Sequence, residues 1–327
     1  MVRQSLSSQH PSRPAPEQIA RVHLALLSWY ASAQRPLPWR ATDDPYAILV
    51  SEIMLQQTQV ERVLPKYHQF LATFPTLADL ANAPTAEVIS VWVPLGYNRR
   101  AVNLQAIARQ AIAEYDGRLP ETVDGLLKLK GIGRYTAGAI ACFAYHQQVA
   151  TVDTNIYRVL HRVFLGLEHP EPKLNTEAMF SFAADVLPAG QAYNWNQALM
   201  DMGATICTSA NPQCARCPLQ ECCTAYQEMS QQSLFPSGAV VRQLRKVAEK
   251  KASYTTQPFT SSNRYFRGRT VAHLRTLTGG ETLPLNELGL VLKADFQEED
   301  LPWLEKIVAG LQRDGLIVWT EQGVKLP

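Results

Sequence analysis

Four cysteines at fixed spacing, Cys207-x6-Cys214-x2-Cys217-x5-Cys223, constrain this chain more than any other feature. Thiolates that close together on one short loop can surround a tetrahedral metal or an iron–sulfur centre without help from elsewhere in the fold. A disulfide framework suits small exported chains, whereas this one has 327 residues and begins, Met1 to Pro16, with a polar, proline-bearing stretch and no apolar signal core. Zinc is the closer rival. Its four-cysteine sites usually come as two CxxC knuckles, and only Cys214 and Cys217 form one here, which favours iron–sulfur. Cys222 abuts Cys223 and offers an alternative spacing for the last ligand, while Cys142, in Ala141-Cys-Phe-Ala144, reads as a buried helix residue.

Single cores rarely grow beyond about 250–300 residues, so more than one domain is expected. A hydrophobic content of 46% is ample for a core, and a net charge of +2 is too small to signal nucleic acid, so any basic footprint must be local. No apolar run approaches the roughly 18–20 residues of a membrane span, and the expectation is a cytoplasmic, reduced protein with no membrane contact. Apolar residues recur at three- and four-residue spacing in Ile19–Trp29, Ile48–Val63, Leu77–Ile89, Ala101–Ala113 and Phe180–Val186. The predicted organisation is a disordered tail over 1–16, an all-α body over 17–206, a cysteine loop over 207–227, a basic linker over 228–262 and a last module over 263–327. In that module Tyr265–Leu277 and Leu301–Leu311 read as helices, and Leu316–Thr320 with Val324–Leu326 as a hairpin, an order like that of a winged helix.

Gly131-Ile-Gly133 falls between the helical patterns Val123–Leu129 and Tyr135–Tyr145. Two glycines permit a tight turn and close backbone approach, and the helix that follows adds its dipole, so the place suits a phosphate or merely a turn. Arg134, Lys128 and Lys130 add charge. Glu52 sits among Ile48, Leu49, Ile53, Met54 and Leu55, either as a surface or capping residue after Ser51 or as a buried acid, since burial favours a proton-bearing carboxyl. Asp153 follows the apolar Val149–Val152 and precedes Thr154-Asn155 and the helix Ile156–Phe164, which makes an N-cap the simplest reading.

Longer stretches carry a resemblance. Leu37-Pro-Trp-Arg40, Asp44-Pro-Tyr46, Ser51-Glu-Ile-Met-Leu-Gln-Gln-Thr-Gln-Val60, Phe74-Pro-Thr76, Leu95-Gly-Tyr97, Gly131-Ile-Gly-Arg-Tyr-Thr-Ala-Gly138, Val152-Asp153, Asn196-Gln197, Met200-Asp-Met-Gly203 and the four cysteines together resemble MutY-type adenine DNA glycosylases over about residues 24–226. The Ser-Glu-x-Met-Leu-Gln-Gln-Thr-Gln run belongs to that branch, whereas hairpin, aspartate and cysteine loop are shared with endonuclease III and the wider helix-hairpin-helix superfamily. The resemblance implies an all-helical two-lobed fold, a [4Fe–4S] cluster on Cys207, Cys214, Cys217 and Cys223, and a monomer acting on double-stranded DNA with an A:8-oxoguanine or A:G mismatch.

It also implies roles. Asp153 would stabilise the sugar cation as the glycosidic bond breaks, oriented by Asn155. Glu52 would protonate the departing purine, with Tyr135 close to both. A base inside a duplex is unreachable, so the nucleotide must be flipped out. Trp39, Arg40, Leu55 and Gln197 match positions of the base pocket, and Gln57 and Tyr97 match residues that wedge into the stack or face the opposite base. Gly131, Gly133 and Arg134 would hold the DNA backbone. Where bifunctional relatives place a Schiff-base lysine, this chain has Tyr135, so base removal with little strand cleavage is expected.

The chain departs from the pattern at Pro94-Leu95-Gly96-Tyr97-Asn98, where the family usually has Gly-Leu-Gly-Tyr-Tyr, and in its last hundred or so residues, which read as helix-rich rather than as the usual Nudix-like domain. Excision of thymine or uracil by the same superfamily is the nearest alternative, and a noncatalytic iron–sulfur DNA-binding regulator the more distant one. Glu52 and the Gln56-Gln57-Thr58-Gln59 run argue for adenine, because pyrimidine excision has no N7 to protonate. Arg264, Arg267, Arg269 and Arg275, with Tyr265 and Phe266 among them, read either as a solvated basic surface or as a second contact with DNA.

Overall fold

The computed structural model describes residues 13–167, 176–233, 259–277 and 281–327. The first twelve residues of the expected tail lie outside the described residues. So does 234–258 of the expected linker, with Arg242, Arg245, Lys246, Lys250 and Lys251. The described chain forms two compact units, one built from 13–43, 137–167 and 176–233, the other from 44–136, 259–277 and 281–327. Nearly all regular structure is helical, as the periodicity predicts. Among the described residues no helix is long and apolar enough to cross a membrane.

The first unit packs α1 (Pro16–Ala33), α9 (Thr154–Leu160), α10 (Thr176–Asp185) and α11 (Ala192–Thr205) around Leu26, Ile156, Leu160, Met179, Phe182, Trp195 and Met202. Pro16, with its fixed φ, stands at the first turn of α1, so the helix begins at the last residue of the expected tail. Asp153 caps α9, which runs on as a π-helical turn over His161–Leu165. The cysteine loop then leads into α12 (Thr224–Ser233), which carries helix into the region expected to be linker. Leu219 and Cys222 join the unit's core, so the loop is packed down as part of this unit.

The second unit holds α2 (Pro45–Leu55), α3 (Val60–Thr73), α4 (Leu77–Asn82), α5 (Thr85–Trp92), α6 (Arg99–Glu114) and α7 (Val123–Leu126). The chain passes into the first unit within α8 (Arg134–Phe143). Two predicted helices are each divided. Leu77–Ile89 breaks at Ala83-Pro84, where the residue before proline is pushed to an extended ψ of 148°. Ile48–Val63 breaks at Gln56–Gln59 although these residues tolerate helix, because Arg100 takes the carbonyls at the end of α2.

The last module comprises α13 (Asn263–Leu274), α14 (Leu285–Leu292), α15 (Leu301–Arg313) and the antiparallel pair β1 (Val318–Thr320) and β2 (Gly323–Lys325), with Leu283 bridging Val324. The order matches the winged-helix expectation, with α14 added. Its separateness does not hold. Val271, Leu288, Leu304, Val308 and Ile317 share one apolar cluster with Ile89 of α5, and Val102 of α6 packs against it, so the module belongs to the second unit.

Candidate active site

Asp153 is both the N-cap of α9 and a largely buried acid. Its Oδ1 accepts from the Ile156 amide at 2.7 Å and its Oδ2 from Asn155 Nδ2 at 3.0 Å. Burial raises its pKa above the ordinary carboxylate value, and those hydrogen bonds together with the nearby Arg158 oppose the rise without cancelling it. The segment leading to it is pinned by Asn196, almost fully buried, whose Oδ1 accepts from the Thr151 amide and whose Nδ2 donates to the Val149 carbonyl and to Cys142 Sγ.

Arg158 extends the arrangement. Its guanidinium donates to Asn155 Oδ1 at 2.8 Å, to the Gly203 carbonyl at 2.7 Å and to the Cys207 carbonyl at 2.8 Å. Gly203 is required here, since a Cβ on it would lie 2.7 Å from Asn155 Cβ. One turn on, Arg162 donates to Cys207 Sγ at 3.5 Å and to the Thr208 carbonyl at 2.8 Å. Nothing local in the sequence marks these two arginines, which only the approach of α9 to α11 puts to use.

The four cysteines of the predicted ligand set line one cavity together with apolar neighbours such as Met202 and Leu219. Burial pushes the Cys217 thiol up to about 11 and the Cys223 thiol up to about 12, and the neighbouring cysteines add to the rise. Cys222, the alternative last ligand, points instead into the core, with its Sγ donating to the Leu219 carbonyl.

Of the expected pocket residues, Trp39 and Gln197 are buried and Leu55 partly so. Arg40 is half-buried and paired with Asp201. Both its Nη atoms donate to the Asp201 carboxylate at 2.8 Å, and Arg35 Nε donates to the same group at 2.7 Å. Burial pushes the Asp201 carboxyl upward, but the two guanidinium groups more than offset it and hold it below the usual range. The pair fixes the loop that carries Trp39 to the C-terminal half of α11.

In the second unit, Glu52 is 6% exposed on a helix whose residues from Tyr46 to Met54 are all buried. The N-cap of α2 is Asp44, accepting from the Tyr46 and Ala47 amides, so Glu52 is neither a cap nor a surface residue. Gln57 and Tyr97 are exposed and hold φ of 57° and 49°, a left-handed backbone that costs a non-glycine residue about 1–3 kcal/mol. One side chain holds both loops. Arg100, buried, donates to the carbonyls of Ile53, Met54, Gln56, Leu95 and Gly96 and to Thr58 Oγ1. Its guanidinium lies 5.4 Å from the Trp92 ring and 5.5 Å from that of Tyr97, and burial lowers its pKa to about 10.

The hairpin presents Gly131 at φ +101° with Ile132 tucked into the core. Gly133 has no positive φ, and a Cβ there would meet nothing within 4 Å, so there is open space beside its Cα just before α8. Arg134 beside it is exposed and Tyr135 is partly buried.

Residues 50–182 match the family described as HhH-GPD superfamily base excision DNA repair protein. The adenine DNA glycosylase of Mycolicibacterium smegmatis is 38% identical over 299 residues, covering 91% of this chain and 93% of its own. The human adenine DNA glycosylase is 40% identical over 245 residues, 72% of this chain and 45% of its own. The chain thus spans nearly all of the bacterial relative and under half of the human one. Among solved structures, a thermostable thymine-DNA glycosylase matches with a TM-score of 0.61 at 31% identity, over 65% of this chain and 98% of its own.

Proposed function

The chain belongs to the adenine DNA glycosylase family within the HhH-GPD base excision repair superfamily, and from that premise we propose that it removes adenine mispaired with 8-oxoguanine or guanine in double-stranded DNA, acting as a monomer. The observation that carries the choice of base is Glu52, a carboxyl group enclosed on a buried, mostly apolar helix. A purine offers that acid the N7 of its five-membered ring, which a pyrimidine lacks.

The chemistry follows from the two carboxylates. Transfer of the Glu52 proton to the purine lets the C1′–N9 bond break with its electron pair leaving on the base. The ionised Asp153, held by the Ile156 amide and Asn155, offsets the positive charge left on the sugar. Water then adds at C1′ and gives up a proton. Tyr135 carries no amine, so no Schiff base forms and the strand stays intact.

Cys207, Cys214, Cys217 and Cys223 are the residues that would hold a [4Fe–4S] cluster, and all four line one cavity with apolar neighbours. When bound, the cluster supplies iron–thiolate bonds that close the 207–223 loop on itself. Protein purified under nitrogen is then yellow-brown with about four iron atoms per chain by the four-thiolate rule, and stoichiometric zinc without iron would rule the assignment out.

Single-turnover assays on duplexes carrying A, T or U opposite 8-oxoguanine or guanine, developed with alkali, test the reading. Adenine is released fastest, and strands break only after alkali. Faster release of thymine or uracil would replace adenine with a pyrimidine as substrate, and efficient borohydride trapping of the unmodified protein would end the monofunctional reading.

A further inference from the structure

The four arginines that open the last module have different fates. Arg267 pairs with Asp314, Arg269 donates to the carbonyls of Val291 and Leu292, and the Nε of Arg275 is buried. Arg264 is exposed, and its guanidinium lies 4.4 Å from the centre of the Tyr97 ring. No acceptor among the described residues takes its N–H groups.

Tyr97 is an unusual surface residue. It is 44% exposed, holds a left-handed φ of 49°, and sits in a loop clamped by the buried Arg100. The module that delivers Arg264 is fastened close by. Asp314 bridges Arg267 of α13 and Arg99 of α6, two residues from Tyr97. A Cβ on Gly315 would stand 3.1 Å from Val102 Cγ1, which shows how closely the backbone of the module approaches α6. A guanidinium stacked on a ring keeps its in-plane N–H donors available, so the two side chains together offer an aromatic surface for a nucleobase and a fork for a phosphate.

We infer that Arg264 is a DNA-contacting residue supplied by the C-terminal module: stacked on Tyr97, it holds that ring in its exposed pose and donates to a backbone phosphate of the strand the ring meets. The inference rests on the reading of the chain as an enzyme acting on duplex DNA. It gives the module a place in substrate recognition through one arginine, with the remaining described arginines of α13 serving to fasten the module.

The test is a double-mutant cycle between positions 264 and 97, read as equilibrium binding of full-length protein to a duplex with adenine opposite 8-oxoguanine at several salt concentrations, in a D153N background that prevents turnover. R264A weakens binding about fivefold to tenfold and reduces the salt slope by about one, as for one lost phosphate contact. In a Y97A background the same change costs at least about threefold less, because the stacking partner is already gone. R264K, which keeps the charge, retains the salt slope even if R264A lowers the unfolding temperature. An unchanged affinity and slope in R264A, losses that simply add with Y97A, or a salt slope in R264K as low as in R264A would each overturn the inference. Excision by the protein with Asp153 intact is followed on the same duplex. Absence of adenine release there would remove the adenine reading, while the cycle still reports on the pair.

Discussion

The surroundings of Asp153 and those of Gln57 and Tyr97 solve opposite problems. Asp153 must keep a charge where burial disfavours it, so it is enclosed and wired to the Ile156 amide, Asn155 and, through Asn155, Arg158. Gln57 and Tyr97 must stand clear of the surface, so their backbones are bent into a left-handed conformation and clamped from below by Arg100. In both places an arginine from a helix donates to carbonyls of neighbouring segments. On the proposed function, the first arrangement would govern a reaction barrier, and the second would govern contact with DNA. Rigidity is needed in both, but what is held rigid differs: a charge in one, a protruding side chain in the other.

That contrast breaks most readily at Asp153 itself. Asp153→Asn should lower the rate of excision by about a hundredfold to a thousandfold or more, the scale of a lost electrostatic stabiliser, and leave duplex binding intact. The same substitution carries a pH signature. Because burial raises the folded-state pKa above the unfolded one, the ionised carboxylate costs stability at neutral pH, and that cost disappears as pH falls through the folded value toward the unfolded one. Asparagine caps helices as well as aspartate does, so the variant should unfold at a higher temperature than the parent at pH 7 and at the same temperature near pH 3. A less stable variant at pH 7 would show that the cap outweighs the buried charge.

Next in size is the pair of arginines. Arg100→Met keeps the apolar stem but leaves the carbonyls of Ile53, Met54 and Gln56 without their donor, and should cost about 2–3 kcal/mol in urea unfolding and weaken duplex binding. Arg158→Met should instead slow excision at saturating enzyme more than it weakens binding. Equal effects of both variants on rate and affinity would erase the distinction between the two neighbourhoods.

Asp201 gives a smaller effect with a fixed sign. Arg40 and Arg35 hold its folded-state pKa below the unfolded value despite its burial, so its contribution to stability is full above about pH 4, the ordinary carboxylate value, and is lost as pH falls through the folded value. Replacing it with asparagine should therefore flatten the acid limb of the stability profile, measured by urea unfolding from pH 7 down to pH 2.

The smallest and most discriminating contrast lies in the hairpin. Gly131→Ala forces a side chain into φ +101° and should cost about 1–2 kcal/mol of stability. Gly133→Ala meets no atom within 4 Å, and should leave the unfolding temperature unchanged while weakening DNA binding severalfold, since the methyl fills the space a phosphate would use. Unaltered binding by Gly133→Ala would reduce the hairpin to a turn.

Much of this was legible in the sequence. The cysteine spacing, the hairpin glycines and the cap at Asp153 are short-range patterns, and chain geometry over a few residues decides them. Glu52 could be suspected because Ile48, Leu49, Ile53, Met54 and Leu55 around it are apolar. The division at Pro84 was also open to reading, since proline acts on the residue before it. The break at Gln56–Gln59 was not, because three of its four residues are glutamines that suit a helix and the carbonyl of Gln56 is taken by an arginine more than forty positions away.

The sequence by itself determined the helical class and the family, and it named the candidates for the residues that carry chemistry, because periodicity, spacing and side-chain type are local properties of the chain. The tertiary structure alone decided that Arg40 serves Asp201, that Arg158 braces Asn155, that Arg100 shapes two exposed loops, and that the last module shares a core with Ile89 and brings Arg264 to Tyr97. These are pairings between distant positions by long, flexible, charged side chains. An arginine leaves no periodic trace of its partner, and only the packed core fixes which carbonyl, carboxylate or ring its guanidinium can reach.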